Sequence, residues 1–128
     1  CILLVEDNLM NQMLAVNMLQ NEGHSVDVAD NGLEALHKTS QRAYDLILMD
    51  LQMPVMDGLE ATRQIREAEQ HTGKRLPIIA MTAHALPEVK DSCIAAGMDD
   101  YIAKPVRRAD LAAVLTLTAD RFKLQHGA

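Results

Sequence analysis

Short apolar runs alternate five times along this chain with stretches in which apolar residues recur at helical spacing. Continuous apolar runs are typical of strands that are buried on both faces, and a recurrence at i, i+3 and i+4 is typical of a helix with one buried face. The runs predict strands over residues 1–5, 24–29, 44–49, 77–82 and 101–103. The alternation therefore predicts five strand-helix units.

A predicted helix follows each strand. The helices cover residues 8–22, a stretch from residue 33, a stretch from residues 57–58, a stretch from residue 87 to the closing Gly97, and residues 107–122. In the first helix, Leu14, Ala15, Met18 and Leu19 fall on one face. Because right-handed crossovers put helices on both faces of a parallel sheet, we expect a doubly wound α/β fold with five parallel strands. We expect the flavodoxin-like strand order 2-1-3-4-5, which is a common order for such sheets.

Composition restricts the class of protein. The 128 residues suit one compact domain over residues 1–128, and 48% hydrophobic with 23% charged residues excludes global disorder. The net charge is −6 and the basic residues are scattered, which argues against a direct nucleic-acid partner. No apolar run approaches the ~20 residues of a membrane span, so we expect no direct membrane contact.

The two cysteines, Cys1 and Cys93, lack the spacing of a metal site or a redox pair. Free thiols suit a reducing compartment, which indicates the cytoplasm. The chain begins at Cys1, without an initiator methionine and already inside an apolar run. We therefore expect it to be a piece of a longer protein.

Polar side chains stand at the carboxyl ends of the predicted strands. Glu6 and Asp7 follow the first strand, Asp50 follows the third, Thr82 ends the fourth and Lys104 follows the fifth. Ligands of doubly wound sheets bind beyond the carboxyl ends of the strands, so these side chains should converge on one rim. Three carboxylates in one place repel one another unless a cation neutralises them or one keeps its proton.

An oxygen-only ligand set indicates Mg2+ or Mn2+ rather than zinc. A divalent cation offsets charge on phosphoryl oxygens, Lys104 adds a second positive charge, and the Thr82 hydroxyl can donate to a further oxygen. The pattern favours phosphoryl transfer, with Asp50 as the nucleophile that forms an acyl phosphate. Taken singly, these residues have plainer explanations, since Asp50 could cap a helix and Thr82 could merely end a strand.

Five segments carry these residues and together form a specific pattern. They are Leu4-Val5-Glu6-Asp7-Asn8, Leu48-Met49-Asp50-Leu51-Gln52-Met53-Pro54, Met56-Asp57-Gly58, Met81-Thr82-Ala83 and Tyr101-Ile102-Ala103-Lys104-Pro105. In these segments the chain resembles the receiver domains of two-component response regulators, and the resemblance covers essentially the whole chain. Further details, such as Asn11 after Glu6-Asp7-Asn8, resemble receivers fused to hybrid sensor histidine kinases.

The resemblance implies a role for each rim residue. Asp50 would be the phosphoacceptor. Mg2+ would be held by Asp7, Asp50 and the backbone carbonyl of Gln52, and Glu6 would act through metal-bound water. The phosphoryl donor would be the phosphohistidine of a histidine kinase or of a histidine phosphotransfer domain.

The resemblance also implies a conformational switch. Thr82 and Tyr101 would respond together to phosphorylation of Asp50 and reshape the face formed by the fourth helix, the fifth strand and the fifth helix. The bond between Lys104 and Pro105 resembles the family's cis peptide, which would aim the lysine amine at the phosphoryl group.

Other residues keep two interpretations. Gln52 and His84 stand where the family tunes hydrolysis of the acyl phosphate, but His84 also fits an exposed loop histidine. Tyr101 also fits a structural aromatic residue. Arg107 and Arg108 either help to dock an acidic phosphotransfer partner or are simply solvated. The sequence is also compatible with a weak homodimer. It is compatible, too, with a place in the cytoplasmic part of a membrane-bound sensor kinase.

The main alternative is an aspartyl-phosphate phosphatase of the haloacid dehalogenase type, which also uses a strand-end Asp, Mg2+ and a Lys. Such enzymes carry a second Asp two residues after the nucleophile, and here that position is Gln52. An electron carrier of flavodoxin type would need a phosphate-binding loop after the first strand, and an inactive receiver would not need the full acidic set. We therefore expect a signalling domain that catalyses only its own phosphorylation and dephosphorylation, not a turnover enzyme.

Overall fold

A computed structural model describes residues 1–51, 53, 55–71, 75–83, 86–104 and 107–125, with side chains of the last helix as far as Thr116. Five parallel strands form one sheet in the order β2-β1-β3-β4-β5. The strands are β1 (Ile2–Val5), β2 (Val26–Ala29), β3 (Leu46–Asp50), β4 (Ile78–Thr82) and β5 (Asp100–Ala103). The expected doubly wound, flavodoxin-like architecture and strand order are confirmed.

Helices α1 (Leu9–Asn21), α2 (Gly32–Gln41), α3 (Gly58–Glu69), α4 (Pro87–Ala96) and α5 (Arg108–Gln125) connect and follow the strands. The side chains of Asn8, Asn31 and Asp57 cap the first three helices, each accepting from the backbone N–H three residues later. Such caps satisfy N–H groups that have no partner inside the helix. They fix where α1, α2 and α3 leave the carboxyl edge of the sheet.

The second strand begins two residues later than the sequence predicts. Gly23 adopts a positive φ of 90°, and the N–H of His24 donates to the carbonyl of Leu19. This pattern closes a helix with a left-handed residue, so His24 belongs to the end of α1 rather than to β2. The third strand also begins two residues later than the sequence predicts, at Leu46, and the Tyr44 hydroxyl before it donates to Asp27 on β2.

The apolar core has two layers, one on each face of the sheet. Alternate residues of the central strands point to opposite layers, which explains why β1, β3 and β4 are almost entirely apolar. Helices α2, α3 and α4 cover one layer, with Ala35, Ile65 and Cys93 buried there. Helices α1 and α5 cover the other, with Leu19 and Leu111 buried there.

The apolar residues that the spacing places on one face of α1 are only partly buried. Ala15 and Leu19 are buried and Met18 is half-buried, but Leu14 is 57% exposed. In the described part of the chain, no helix combines the length and the apolar character that a membrane crossing requires.

Candidate functional site

Three carboxylates meet at the carboxyl edge of the sheet. Glu6 and Asp7 directly follow β1, and Asp50 is the last residue of β3. Because β1 pairs with β3 with Val5 opposite Met49, the two strand ends lie side by side. One carboxylate oxygen from each of the three residues lies within 4.8 Å of the other two. Glu6 and Asp50 are buried, whereas Asp7 faces solvent.

Lys104 brings a positive charge into this acidic cluster. Its Nζ lies 3.0 Å from Oδ2 of Asp50 and 3.1 Å from Oε2 of Glu6. Burial alone would lower the pKa of the Lys104 amine, but hydrogen bonds to Asp50 and Glu6 outweigh it and the pKa is raised. The amine is therefore charged, and it bridges two of the three carboxylates.

The surroundings of the Glu6 carboxyl group disfavour its ionised form. Burial and a hydrogen bond with Asp50 raise the pKa of Glu6 to about 7, although Asn11 and Lys104 act in the opposite direction. One lysine does not offset three carboxylates, so the cluster carries excess negative charge when all are ionised. A divalent cation bound among these oxygens would remove the repulsion that favours the protonated form.

Thr82 and Tyr101 lie beside the acidic cluster. Thr82, the last residue of β4, is 6% exposed and lines the same cleft as Asp50 and Lys104. Tyr101 is half-buried on β5 and packs on the layer covered by α2, α3 and α4. The Nζ of Lys90, on α4, lies 5.6 Å from the centroid of its ring. The other candidates, Gln52, His84 and Pro105, lie outside the described residues.

Two further side chains reach the cluster that were not assigned a role from sequence. The Nδ2 of Asn11 donates to Oε1 of Glu6 at 2.7 Å. The Nε2 of Gln12 donates both to the backbone carbonyl of Glu6 and to Asp30 at the end of β2. Helical side chains tilt toward the helix N-terminus, so polar residues in the first turn of α1 point back at the strand end. The position of Asn11 and Gln12 in the first turn of a predicted helix is the sequence signal that could have pointed to them, although it does not reveal the partner of each amide.

The start of α3 packs tightly against the end of β3. A Cβ at Gly58 would lie 2.3 Å from the backbone oxygen of Asp50, so only glycine fits there. The N–H of Gly58 donates to the carbonyl of Leu51 at 3.1 Å. This contact fixes the backbone on which the Asp50 carboxylate stands.

A doubly wound sheet with a carboxylate cluster and a lysine at its carboxyl edge defines a class of α/β phosphoacceptor domain. The family model for the response regulator receiver domain matches residues 2–116. The chain belongs to this family.

Relatives and solved structures agree with the assignment. The chain is 45% identical over 130 residues to Histidine kinase 5 of Arabidopsis thaliana, covering 82% of this chain and 14% of that protein. It is 47% identical, with a TM-score of 0.80, to the receiver domain of sensor histidine kinase PA1611 from Pseudomonas aeruginosa, solved with a magnesium ion coordinated in the active site cleft. That match covers 89% of this chain and 92% of the solved one.

A co-crystal structure of the Saccharomyces cerevisiae phosphotransfer protein Ypd1 with the receiver domain of Ssk1 also matches, with 37% identity and a TM-score of 0.82 over 87% of this chain and 82% of the solved one. The resemblance to receivers of hybrid histidine kinases is confirmed, since proteins of that description are among the relatives. The chain is thus a phosphoacceptor signalling domain of the two-component type, and the haloacid dehalogenase alternative is not supported.

Proposed function

We propose that this receiver domain takes a phosphoryl group from a phosphohistidine onto Asp50, in a reaction that depends on Mg2+. The observation that carries the proposal is the position of the Lys104 amine, 3.0 Å from Asp50 and 3.1 Å from Glu6 within a cluster of three carboxylates. This arrangement joins a nucleophile, a cation for the phosphoryl oxygens and an oxygen-lined place for a metal ion.

The donor set fits Mg2+. All candidate ligand atoms are oxygens, which hard divalent cations prefer, and Mn2+ would fit the same set. Asp7 and Asp50 would bind directly with the backbone carbonyl of Gln52, and Glu6 would act through bound water. The metal ion supplies charge neutralisation on the phosphoryl oxygens. The excess negative charge of the cluster and the raised pKa of Glu6 support occupation by a cation.

The chemical step breaks one bond and forms one. A carboxylate oxygen of Asp50 attacks phosphorus, the P–N bond of the donor breaks, and its electron pair stays on the imidazole nitrogen. The product is an acyl phosphate on Asp50. The amine of Lys104 then pairs with a phosphoryl oxygen, and the hydroxyl of Thr82 donates to another.

Phosphorylation would act outward through Thr82 and Tyr101. When Thr82 turns toward the phosphoryl group, the ring of Tyr101 is free to fill the space beside β4 and reshape the face formed by α4, β5 and α5. The half-buried position of Tyr101 against α4 supports this role, since a small movement changes its packing. Pro105 would set the direction of Lys104, and Gln52 and His84 would tune hydrolysis of the acyl phosphate.

The phosphoryl donor would be a histidine kinase or a histidine phosphotransfer domain. Helix α1 borders the cleft and exposes four large apolar side chains, Leu9, Met10, Met13 and Leu14, each between 57% and 74% exposed. A contiguous apolar patch of this kind marks an interaction surface. Arg107 and Arg108, both exposed at the start of α5, would add attraction to an acidic partner.

The chain spans only 14% of the length of the plant histidine kinase it matches. Hybrid histidine kinases are among its relatives, so it would act as the receiver of such a kinase. Its free cysteines, Cys1 and Cys93, suit the cytoplasm. It would modify and dephosphorylate itself without turning over a small substrate.

Intact-mass measurement after incubation with acetyl phosphate and Mg2+ tests the proposal. We expect the mass of one phosphoryl group on the wild type and none on Asp50→Asn, whereas Asp91→Asn, at an exposed position on α4, should behave as the wild type. Phosphate released over many turnovers would instead identify a hydrolase, and an equal mass gain on Asp50→Asn would contradict the assignment of the nucleophile.

A further inference from the structure

We propose that Asn11 is a positioning residue of the metal site, which holds the Glu6 carboxylate in the orientation that Mg2+ binding uses. The inference rests on the proposed function and adds to it a residue on α1 that is outside the set expected to bind the metal ion directly. Its basis is one short contact, between Nδ2 of Asn11 and Oε1 of Glu6 at 2.7 Å.

The chemistry of the two groups fixes the direction of this hydrogen bond. An ionised carboxylate only accepts, so the amide nitrogen of Asn11 is the atom that faces it. Glu6 is 1% exposed, and hydrogen bonds to a buried charged group are stronger than those in water. Asn11 therefore holds Oε1 of Glu6, which the Nζ of Lys104 approaches less closely, at 3.3 Å.

Asp50 and Lys104 are the other side-chain partners of Glu6, and the lysine amine is shared between the two carboxylates. It lies 3.1 Å from Oε2 of Glu6 and 3.0 Å from Oδ2 of Asp50. Once a phosphoryl group is on Asp50, the same amine pairs with phosphoryl oxygens, and its flexible four-carbon stem allows that movement. Asn11 is then the partner that Glu6 keeps.

The backbone around Asn11 is well anchored. Its N–H donates to the capping side chain of Asn8 at 3.1 Å, which fixes the first turn of α1. Beside it, Gln12 donates to the backbone carbonyl of Glu6 and to Asp30. The two neighbouring amides thus hold Glu6 by its side chain and by its main chain.

Space beside Glu6 makes this restraint necessary. A small cavity of about 60 Å³ borders Glu6 and Asn11, with walls that include Leu4, Leu14 and Met81. A cavity of that size has room for water, and the side chain of Lys104 also lines it. Without the Asn11 amide, the carboxylate of Glu6 could turn into this space and away from the metal site.

If Asn11 had only a structural role, its replacement would lower the stability of the fold and leave the Mg2+ affinity unchanged. Asn is a weak helix former and Asn11 lies exposed in α1, so the helix gains from Ala or Leu. This gain offsets part of the cost of losing the hydrogen bond to Glu6, and the net change in stability should be small. Loss of metal affinity without loss of stability would separate positioning from folding.

The test is a calorimetric titration of the chain with Mg2+ alone. For Asn11→Ala and Asn11→Leu we expect the dissociation constant to rise about 10- to 100-fold, the usual effect of removing a hydrogen-bond partner of a metal-site group. Leu matches the shape of Asn without its donor. Asn17→Ala, at an exposed position on the same helix, should bind Mg2+ as the wild type does.

Two further measurements complete the test. The thermal midpoint in EDTA should change little in both Asn11 variants. The rate of phosphorylation by acetyl phosphate should recover at saturating Mg2+. Wild-type Mg2+ affinity in Asn11→Ala, or a rate deficit that persists at saturating Mg2+, would overturn the positioning role alone. Absence of Mg2+ uptake by the wild type would overturn the proposed function and this inference together.

Discussion

Two ionic clusters stand at opposite ends of the sheet and differ in charge balance. At the amino ends of β4 and β5, the Arg66 network joins Arg66 to Glu69 at 2.6 Å and to Asp99 at 2.8 Å, and Arg75 to Asp99 at 2.8 Å. Two guanidinium groups match two carboxylates there. At the carboxyl ends, the cleft cluster of Glu6, Asp7, Asp50 and Lys104 sets one cation against three carboxylates.

The difference in charge balance indicates that the Arg66 network has a structural role and the cleft cluster a chemical one. In the Arg66 network, further donors of Arg66 reach the carbonyls of Gly97 and Leu76, so its charge is satisfied by protein alone. In the cleft cluster three carboxylates face one amine, and burial together with the hydrogen bond with Asp50 raises the pKa of Glu6 to about 7. A balanced buried cluster ties segments together, whereas an unbalanced one is ready for a cation and for the phosphoryl chemistry that needs it.

The largest effect on stability is expected at the balanced end. Arg66 is 13% exposed, and Arg66→Met would leave Glu69 and Asp99 without its guanidinium. We expect the free energy of unfolding to fall by about 3–5 kcal/mol in a denaturant titration, because a buried pair loses one partner. The matched control is Arg63→Met on the same helix, which is 57% exposed and should change stability by less than about 0.5 kcal/mol. Equal losses in the two variants would remove the contrast.

Removing a negative charge from the cleft cluster should raise the free energy of unfolding rather than lower it. Glu6 has a pKa of about 7 in the folded chain against 4.5 for an ordinary glutamate. As pH rises between these values, the unfolded state loses its proton first, so the wild type loses stability over this window. In EDTA at pH 8 we expect Glu6→Gln to be more stable than the wild type by about 1–3 kcal/mol.

Denaturant titrations at pH 4 and pH 8 measure this effect. The gain in Glu6→Gln should disappear at the lower pH, where Glu6 is protonated in both states, and Glu22→Gln, at an exposed position, should follow the wild type throughout. A loss of stability in Glu6→Gln at pH 8 would mean that the cleft cluster is as well balanced as the Arg66 network.

A smaller effect on stability is expected from a strained backbone position in the loop after β3, at the same end of the sheet as the cleft cluster. Among the described residues, Val55 is the one non-glycine residue with a positive φ, at 68°, and its side chain is 76% exposed. A left-handed conformation costs a β-branched residue about 1–2 kcal/mol, and Asn tolerates it better.

We therefore expect Val55→Asn to raise the free energy of unfolding by about 1 kcal/mol. Ile94→Asn replaces another exposed β-branched residue, 58% exposed within α4, and should give no gain. An unchanged or lower stability in Val55→Asn would show that this loop stores no strain.

Sequence patterns predicted the fold because the central strands are apolar on both faces and each ends at a polar residue. The run before Asp50 is an example, since residues 46–49 are all buried. The start of β2 was missed because Gly23 and His24 close α1 by a local backbone pattern that hydrophobic periodicity does not contain.

Long-range partners were the other part that the sequence did not reveal. Arg66 meets Asp99 across 33 positions, and neither residue stands in a recognisable motif. The cleft cluster was easier to anticipate, because the strand ends of a parallel sheet share one edge. The amide of Asn11 was seen only in the structure, since its role depends on the direction in which the first turn of α1 points its side chains.

Calorimetric titration of the metal-free folded chain with Mg2+ tests the unbalanced charge of the cleft cluster most directly. We expect uptake of one ion by the wild type and a large loss of affinity in Asp7→Asn and in Asp50→Asn, while Arg63→Met binds normally. No uptake by the wild type, or equal uptake by Asp50→Asn, would contradict the conclusion that these carboxylates form a binding site for a divalent cation.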